Sequence, residues 1–386
     1  MNGSKPYVLF CAGEDSGDCL GEPLVRTLKS FEQDGSFDAV GAGGYRMQLQ
    51  GLASLVDFEE LPVSGFGDVL FKYPRLRKNY RVLLNALKSP LCKGLVAIDY
   101  PGFNMKLVET AKSLKKKVLY GSPPPIWAWK PQRAKRFAQS PFVQLAVFFD
   151  FEKDAYEKAG CHVQRVLHPF AEVKSTGTCT SESSRTILLL PGSRKHQALR
   201  NLEIYLEALT CLKSAQNYHY VVMASRQSLV EPFEKCVRSF SQCQTFPNVV
   251  VETGPQSAVA RSEFFGQTEF AISVPGTVTL ELALSGCPFI ACMRPDFLTK
   301  AIAGRVVKTS FFALPNIILK RMVYPEFIVL NRRREGAKKL SLMLEQTLNQ
   351  ENALSQQSCI AEELQRKLQV EKRLESLMFE FLAQLV

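Results

Sequence analysis

Short apolar runs recur along the chain, and most are followed by a stretch in which apolar residues return every three or four positions. PYVLFCA (6–12) precedes EPLVRTLKSF (22–31), and GLVAID (94–99) precedes FNMKLVETAKSLKK (103–116). KKVLYGS (116–122) and QLAVFFDF (144–151) follow, then RTILLLPGS (185–193) with ALRNLEIYLEALTCLKS (198–214). The first pattern is that of strands buried on both faces and the second that of amphipathic helices. Their alternation predicts an α/β chain of repeated strand–helix units, packed as parallel sheets with helices on both faces. A polar segment, KSTGTCTSESSR (174–185), interrupts the series, which begins afresh before Pro191 and runs on through YHYVVMAS, NVVVET, EFAISV and CPFIACMR. The predicted domains are therefore 1–173 and 186–340. From about Lys338 helical periodicity continues without strand signals, so 341–386 is predicted as C-terminal helices.

A length of 386 residues agrees with two domains rather than one core. No apolar run reaches the roughly 20 residues of a membrane-spanning helix. The opening MNGSKPYVLFCAGEDSGD reads as a first strand rather than a signal peptide, because acidic residues follow at once and no small-residue cleavage pattern is present. Eleven cysteines, an odd number without a C-x-x-C pair, and four histidines indicate neither a disulfide framework nor a zinc site, and fit a reducing cytoplasm. The net charge of +11 asks for an anionic partner: nucleic acid, a phosphorylated metabolite or an acidic membrane surface. Without an RNA-binding aromatic signature, zinc-finger spacing or a sustained basic helix, nucleic acid is set aside.

In open parallel sheets, ligands sit beyond the carboxyl ends of the strands. Gly13-Glu14-Asp15-Ser16-Gly17-Asp18 joins a strand to a helix, where exposed N–H groups suit an anion or hydroxyl cluster. The alternative is a plain helix cap by Ser16 or Asp18. Pro191-Gly192-Ser193-Arg194 sets an arginine beside a glycine turn at a helix start, a geometry suited to a phosphate. In Ser273-Val274-Pro275-Gly276-Thr277, the N–H groups of Gly276 and Thr277 can hold a diphosphate, and Glu281, one turn further in, can accept from ribose hydroxyls. Asp99 ends a buried strand in Ile98-Asp99-Tyr100-Pro101-Gly102-Phe103-Asn104 and is either a general base facing an inter-domain cleft or a helix cap.

These residues resemble the lipid A disaccharide synthases, glycosyltransferase family 19. The family's G-E-x-S-G-D, I-D-x-P-x-F-N and S-P-x-x-W-A-W elements are similar to Gly13–Asp18, Ile98–Asn104 and Ser122–Trp129, the last with one extra residue. Its F-E-K, H-P, L-P-G-S-R, G-T-x-x-L-E and V-K-T…L-P-N elements fall in order at Phe151–Lys153, His168-Pro169, Leu190–Arg194, Gly276–Glu281 and Val307–Asn316. Departures from the pattern occur at Leu167, Glu172, Gln197 and Val329. The resemblance implies two Rossmann-like domains facing a cleft (GT-B type). It also implies inverting transfer from UDP-2,3-diacylglucosamine to 2,3-diacylglucosamine 1-phosphate, with neither metal nor other cofactor. Asp99 is then the base. Ser193, Arg194, Gly276, Thr277, Glu281 and Asn316 form the donor site, with Asn316 a polar contact. Glu14, Ser16, Gly17, Asp18 and Asn104 belong to the acceptor or cleft loops. His168 either reaches the cleft or is structural. The C-terminal helices either return to the N-terminal domain or exchange between subunits of a homodimer. Two rival readings stand beside this one: another GT-B enzyme such as a UDP-N-acetylglucosamine epimerase, and a catalytically silent lipid- or nucleotide-binding protein.

One further stretch, Leu61–Lys78, places Phe66, Val69, Leu70 and Tyr73 at helical spacing beside Lys72, Arg75, Arg77, Lys78 and Arg81. Such a stripe either packs into the N-terminal core or lies in an anionic bilayer interface. Two acylated substrates and an apolar helix near the family's acceptor site favour the second, so the expected location is cytoplasmic and peripheral to the inner membrane.

Overall fold

A computed structural model describes residues 5–31, 37–61, 65–128, 130–173, 185–241, 246–255, 257–295, 311–330, 332–348 and 353–386; side chains are described outside 65–72 and 353–355. The chain divides into two compact units. One comprises Met1–Val63, Gly67–Pro169 and Val370–Val386, the other Ser64–Phe66 and Phe170–Gln369.

The first unit is built on a seven-stranded parallel sheet of β1 (Tyr7–Ala12), β2 (Asp38–Ala42), β3 (Ala53–Ser54), β4 (Cys92–Ile98), β5 (Lys117–Gly121), β6 (Val143–Val147) and β7 (Val163–Arg165). Their spatial order is β3-β2-β1-β4-β5-β6-β7. Between the strands run α1 (Asp15–Ser30), α2 (Tyr45–Leu49), α3 (Gly65–Lys88), α4 (Pro101–Ser113) and α5 (Asp150–Lys158). Val8 to Ala12 are all fully buried, as a strand covered on both faces requires. In α1, Leu20, Leu24, Val25 and Leu28 form the buried stripe. The second half of α3 buries Asn79, Leu83 and Leu87 and turns Arg77, Lys78 and Arg81 outward.

The second unit carries a six-stranded parallel sheet of β8 (Thr186–Leu190), β9 (His219–Ala224), β10 (Val249–Thr253), β11 (Phe270–Ser273), β12 (Phe289–Met293) and β13 (Glu326–Ile328), in the order β10-β9-β8-β11-β12-β13. Its described helices are α6 (Lys195–Cys211), α7 (Val230–Phe240), α8 (Ala258–Gly266), α9 (Thr277–Leu284), α10 (Leu314–Leu319), α11 (Arg333–Leu348) and α12 (Ala353–Leu368). Each sheet places its first strand beside its fourth, the doubly wound Rossmann order whose crevice opens where the chain reverses direction across the sheet. The α/β reading with two Rossmann-like sheets is therefore what the chain adopts.

The boundary and the tail differ in detail from expectation. The units part after Pro169 rather than after 173, and the 341–386 segment divides: α11 and α12 belong to the second unit, while α13 (Leu374–Ala383) belongs to the first. Periodicity marks a helix as amphipathic without saying which sheet its apolar face will meet. The α13 helix packs against α1 and β5. Its Phe381 is 2% exposed and sits over Gly94 of β4, where a Cβ atom would lie 2.8 Å from the phenyl ring. Ahead of the helix, the Leu167 N–H donates to the Lys372 carbonyl at 2.8 Å.

Phe381→Ala should cost about 3–5 kcal/mol, the usual scale for emptying a buried phenyl site. Hydrogen exchange will check it: the β1 and β4 amides should lose protection while those of β8 and β9 keep theirs. Unchanged protection in β4 would make α13 a superficial appendage.

Candidate functional site

The loops that leave β1 and β4 meet at the first sheet's switch point. Asp99 and Tyr100 stand one after the other in left-handed backbone, with φ of 47° and 49°, a conformation that costs a non-glycine residue of the order of 1–3 kcal/mol. Neighbouring groups hold the bend. Asp99 donates its N–H to the Gly121 carbonyl at 2.9 Å, and its own carbonyl accepts from the Tyr120 hydroxyl at 3.0 Å and from Asn104 Nδ2 at 2.8 Å. Asn104, fully buried, also donates to the carbonyls of Ile98 at 3.1 Å and Cys11 at 3.0 Å, tying β4 to β1.

The bend delivers two side chains. The Tyr100 ring lies over Gly13, where a Cβ atom would come within 2.3 Å of it, and its hydroxyl donates to the Leu61 carbonyl at 2.8 Å. The glycine of the first loop is thus required by close packing against Tyr100. The Asp99 carboxylate accepts from Ser16 Oγ at 3.4 Å, Ser16 lying in the first turn of α1 after the N-cap residue Glu14. The N-cap position of α4 is taken by Tyr100, with Pro101 in the first turn, so Asp99 stands one residue ahead of the cap.

Asp18 is placed differently from Ser16. Its carboxylate is buried and accepts from the backbone N–H groups of Arg46 at 3.0 Å and Met47 at 3.1 Å, so it caps α2 from 28 residues away. Burial raises its pKa against the opposing pull of those N–H groups. Asp18 and Asn104 therefore act as supports of the loop, whereas Ser16 and Asp99 meet at its edge.

Sequence reasoning passed over Glu152, although it lies in the Phe151–Lys153 element. It occupies the third position of α5 and accepts from the Phe148 N–H at 3.2 Å, in the manner of a capping box. Burial pushes its pKa up to about 7, backbone N–H groups of Phe148 and Phe149 and the Trp127 indole oppose the rise, and the Asp99 carboxylate adds to it. His168 takes the structural role: it is 2% exposed, 4.7 Å from the Phe148 ring, and burial lowers its pKa to about 3.

The second sheet repeats the arrangement at β8 and β11. The Val274 N–H donates to the Leu190 carbonyl at 2.9 Å, bringing the two loops side by side. Arg194 is the N-cap of α6 and Gly276 that of α9, so the starts of the two helices that follow these neighbouring strands lie at the same end of the sheet. The Ser193 carbonyl accepts from Arg226 Nη2 at 3.2 Å. Thr277 is the first residue of α9, and Glu281, in its second turn, accepts from Arg261 Nε at 2.6 Å.

Asn316 calls for a correction. The expected polar contact to a ligand is replaced by internal bonds: Nδ2 donates to the Tyr324 carbonyl at 2.8 Å and to Glu326 Oε2 at 3.0 Å, while Oδ1 accepts from the N–H groups of Val323 at 2.9 Å and Tyr324 at 3.0 Å. A primary amide has capacity for four hydrogen bonds, and all four are made inside the fold. Asn316 shapes the turn instead, together with Glu326, which accepts from Phe312 and Ala313 N–H groups. Val329, one of the departures from the family pattern, is absorbed into the apolar core of this unit. Phe66, Val69 and Leu70 lie outside the described side chains. Tyr73 is 56% exposed and, with Arg77, Lys78 and Arg81, lines a groove of about 420 Å³ along α3.

Among the described residues no helix is long and apolar enough to cross a membrane, and no three His, Cys, Asp or Glu residues are grouped to hold a metal ion. A family model for lipid-A-disaccharide synthetase matches residues 8–379. The lipid-A-disaccharide synthase of Geobacter metallireducens is 31% identical over 333 residues, covering 83% of each chain. That of Trichlorobacter lovleyi is 33% identical over 335 residues, 84% of each. Among solved structures, S. aureus MnaA with UDP superposes with a TM-score of 0.59 at 8% identity, over 99% of this chain and 98% of that one. The glycotransferase of kitacinnamycin does so with a TM-score of 0.55 at 10% identity, over 99% and 100%. At such identities the likeness is one of fold.

The pKa of Glu152 sets a stability prediction. Below about pH 4.5 both folded and unfolded chains hold its proton; between 4.5 and about 7 only the folded chain does. Stability should therefore fall as pH rises through that window, by a few kcal/mol in order of magnitude. Glu152→Gln, which keeps an acceptor for Phe148 but cannot ionise, should flatten that decline in denaturant melts at pH 5, 6, 7 and 8. An identical decline in the variant would place Glu152 in water.

Proposed function

The chain belongs to the lipid-A-disaccharide synthase family, and on that premise we propose how its two switch points divide the reaction. As a member, it is a glycosyltransferase of GT-B fold that condenses UDP-2,3-diacylglucosamine with 2,3-diacylglucosamine 1-phosphate, giving lipid A disaccharide 1-phosphate and UDP. Asp99 accepts the proton of the acceptor's 6-hydroxyl as that oxygen attacks the anomeric carbon. The bond from this carbon to the diphosphate breaks on the opposite face, which inverts the centre. Charge gathers on the departing diphosphate, and the N–H groups of Gly276 and Thr277, with the Arg194 guanidinium, receive it. Glu281 accepts from the ribose hydroxyls, while Asn316 works through the turn that it holds.

The observation that carries the assignment is the Asp99 carboxylate at a switch point, on a strained bend, with Ser16 Oγ 3.4 Å away to fix its orientation. A merely capping aspartate needs no left-handed backbone. Asp99→Asn keeps the shape but cannot take a proton, so transfer should fall roughly 10²–10⁴-fold, the scale of a general base. UDP release that depends on added diacylglucosamine 1-phosphate will measure it, with UDP binding unchanged by calorimetry. Near-normal turnover would move the base elsewhere, Glu14 being next in position; release of UDP without any acceptor would point to epimerase-like chemistry instead.

The same proposal assigns the outer face of α3 to an anionic membrane surface, from which both acylated substrates must come. Exposed Tyr73 beside exposed Arg77, Lys78 and Arg81 supports it, since cations near an anionic bilayer contribute about 1 kcal/mol each. Replacing Phe66, Val69 and Leu70 together by serine should release the protein from anionic vesicles in flotation while its melting transition holds. Collapse of the transition, in a protein whose wild type never bound vesicles, would return those residues to the core.

A further inference from the structure

Glu281 is not presented alone. Arg261 of α8 donates from Nε to Glu281 Oε1 at 2.6 Å, and the two side chains are 11% and 9% exposed. One residue along α8, Ser262 Oγ lies 3.1 Å from Oγ of Ser285, the C-cap residue of α9. Two polar links therefore lock α8 to α9 in rotation and in height. The carboxylate so held belongs to the helix whose N-terminus, at Gly276 and Thr277, opens at the switch point of the second sheet.

Two physical consequences meet there. A carboxylate one turn behind an anion-binding helix start repels the dianion that the site is built to receive, and the guanidinium cancels that charge. A lone glutamate also samples several rotamers, whereas a short charge-assisted bond to Nε selects one. We propose that Arg261 is a positioning residue that determines specificity for the nucleoside sugar: it sets Glu281 so that a ribose diol, and not a deoxyribose, is bound. The inference rests on the reading of Glu281 as the ribose-contacting group. It deepens that reading by naming the residue that gives the carboxylate its direction.

The test compares UDP with 2′,3′-dideoxy-UDP by calorimetry, using the whole chain. The wild type should prefer UDP by ten-fold or more, since a buried acceptor left without its donors is costly. Arg261→Gln should reduce that preference to about two-fold or less, and Arg261→Lys, which keeps the buried charge but not the planar Nε–H, to an intermediate ratio. A variant that merely loosens the second unit weakens both ligands alike and leaves the ratio intact, so an unchanged ratio in either folded variant overturns the proposal. If Arg261→Gln fails to fold, the lysine variant decides alone. A wild type that does not discriminate between the ligands removes the ribose role of Glu281 itself, and the inference with it, an outcome separate from retained discrimination in the variants.

Discussion

Residues with a Cβ atom avoid left-handed backbone, yet Asp99 and Tyr100 occupy it in succession where β4 ends. The surroundings over-determine the bend: the carbonyl of Asp99 takes two donors, its N–H has a strand partner, and Asn104 binds the ends of β1 and β4 to one another. From this bend follow the seat of the Tyr100 ring on Gly13, the path of the loop into α1 and the meeting of Ser16 with Asp99. Relaxing it would turn the carboxylate away from Ser16 and at the same time lift the aromatic ring from the glycine. The strained bend and the Ser16–Asp99 contact therefore share one set of supports.

The second sheet reaches a comparable result by other means. No non-glycine left-handed residue is described at the ends of its strands; instead two helices start after neighbouring strands, and buried ionic or amide groups hold what surrounds them. Asn316 and Glu326 fold the approach to α10, whose Leu314 N–H in turn reaches Thr279 Oγ1 of α9 at 3.3 Å. Glu281 is fixed by Arg261. In the first unit a side chain is held by bending the main chain under it, whereas in the second the side chains brace the main chain.

Much of this was legible in the sequence because a parallel sheet writes itself as apolar runs, with its ligand-facing loops at the carboxyl end of each. That logic singled out the loops of Ser16 and Asp99, which come within 3.4 Å of one another, and those of Arg194 and Gly276, which follow the neighbouring strands β8 and β11. It did not reach contacts made by groups distant in sequence: Asp18 on the backbone of Arg46 and Met47, Arg261 on Glu281, and Asn316 on Glu326. Nothing in the local pattern around Asn316 distinguishes an amide that serves a ligand from one saturated by its own turn. Glu152 was visible only as a helix-start glutamate, since its approach to the Trp127 indole and to the Asp99 carboxylate comes from packing of separate loops.

The placement of α13 has a bearing on how such a chain is made. The helix that covers Gly94 lies downstream of every strand of the second sheet, so a ribosome delivers the seven strands of the first sheet long before it delivers their cover. Until then the β4 face around Gly94 stays open while a second parallel sheet is assembled on the same nascent chain, and exposed apolar surface of that kind invites mispairing or aggregation. Completion of the first unit is thus coupled in time to emergence of the second. The order of synthesis and the order of packing run in opposite directions.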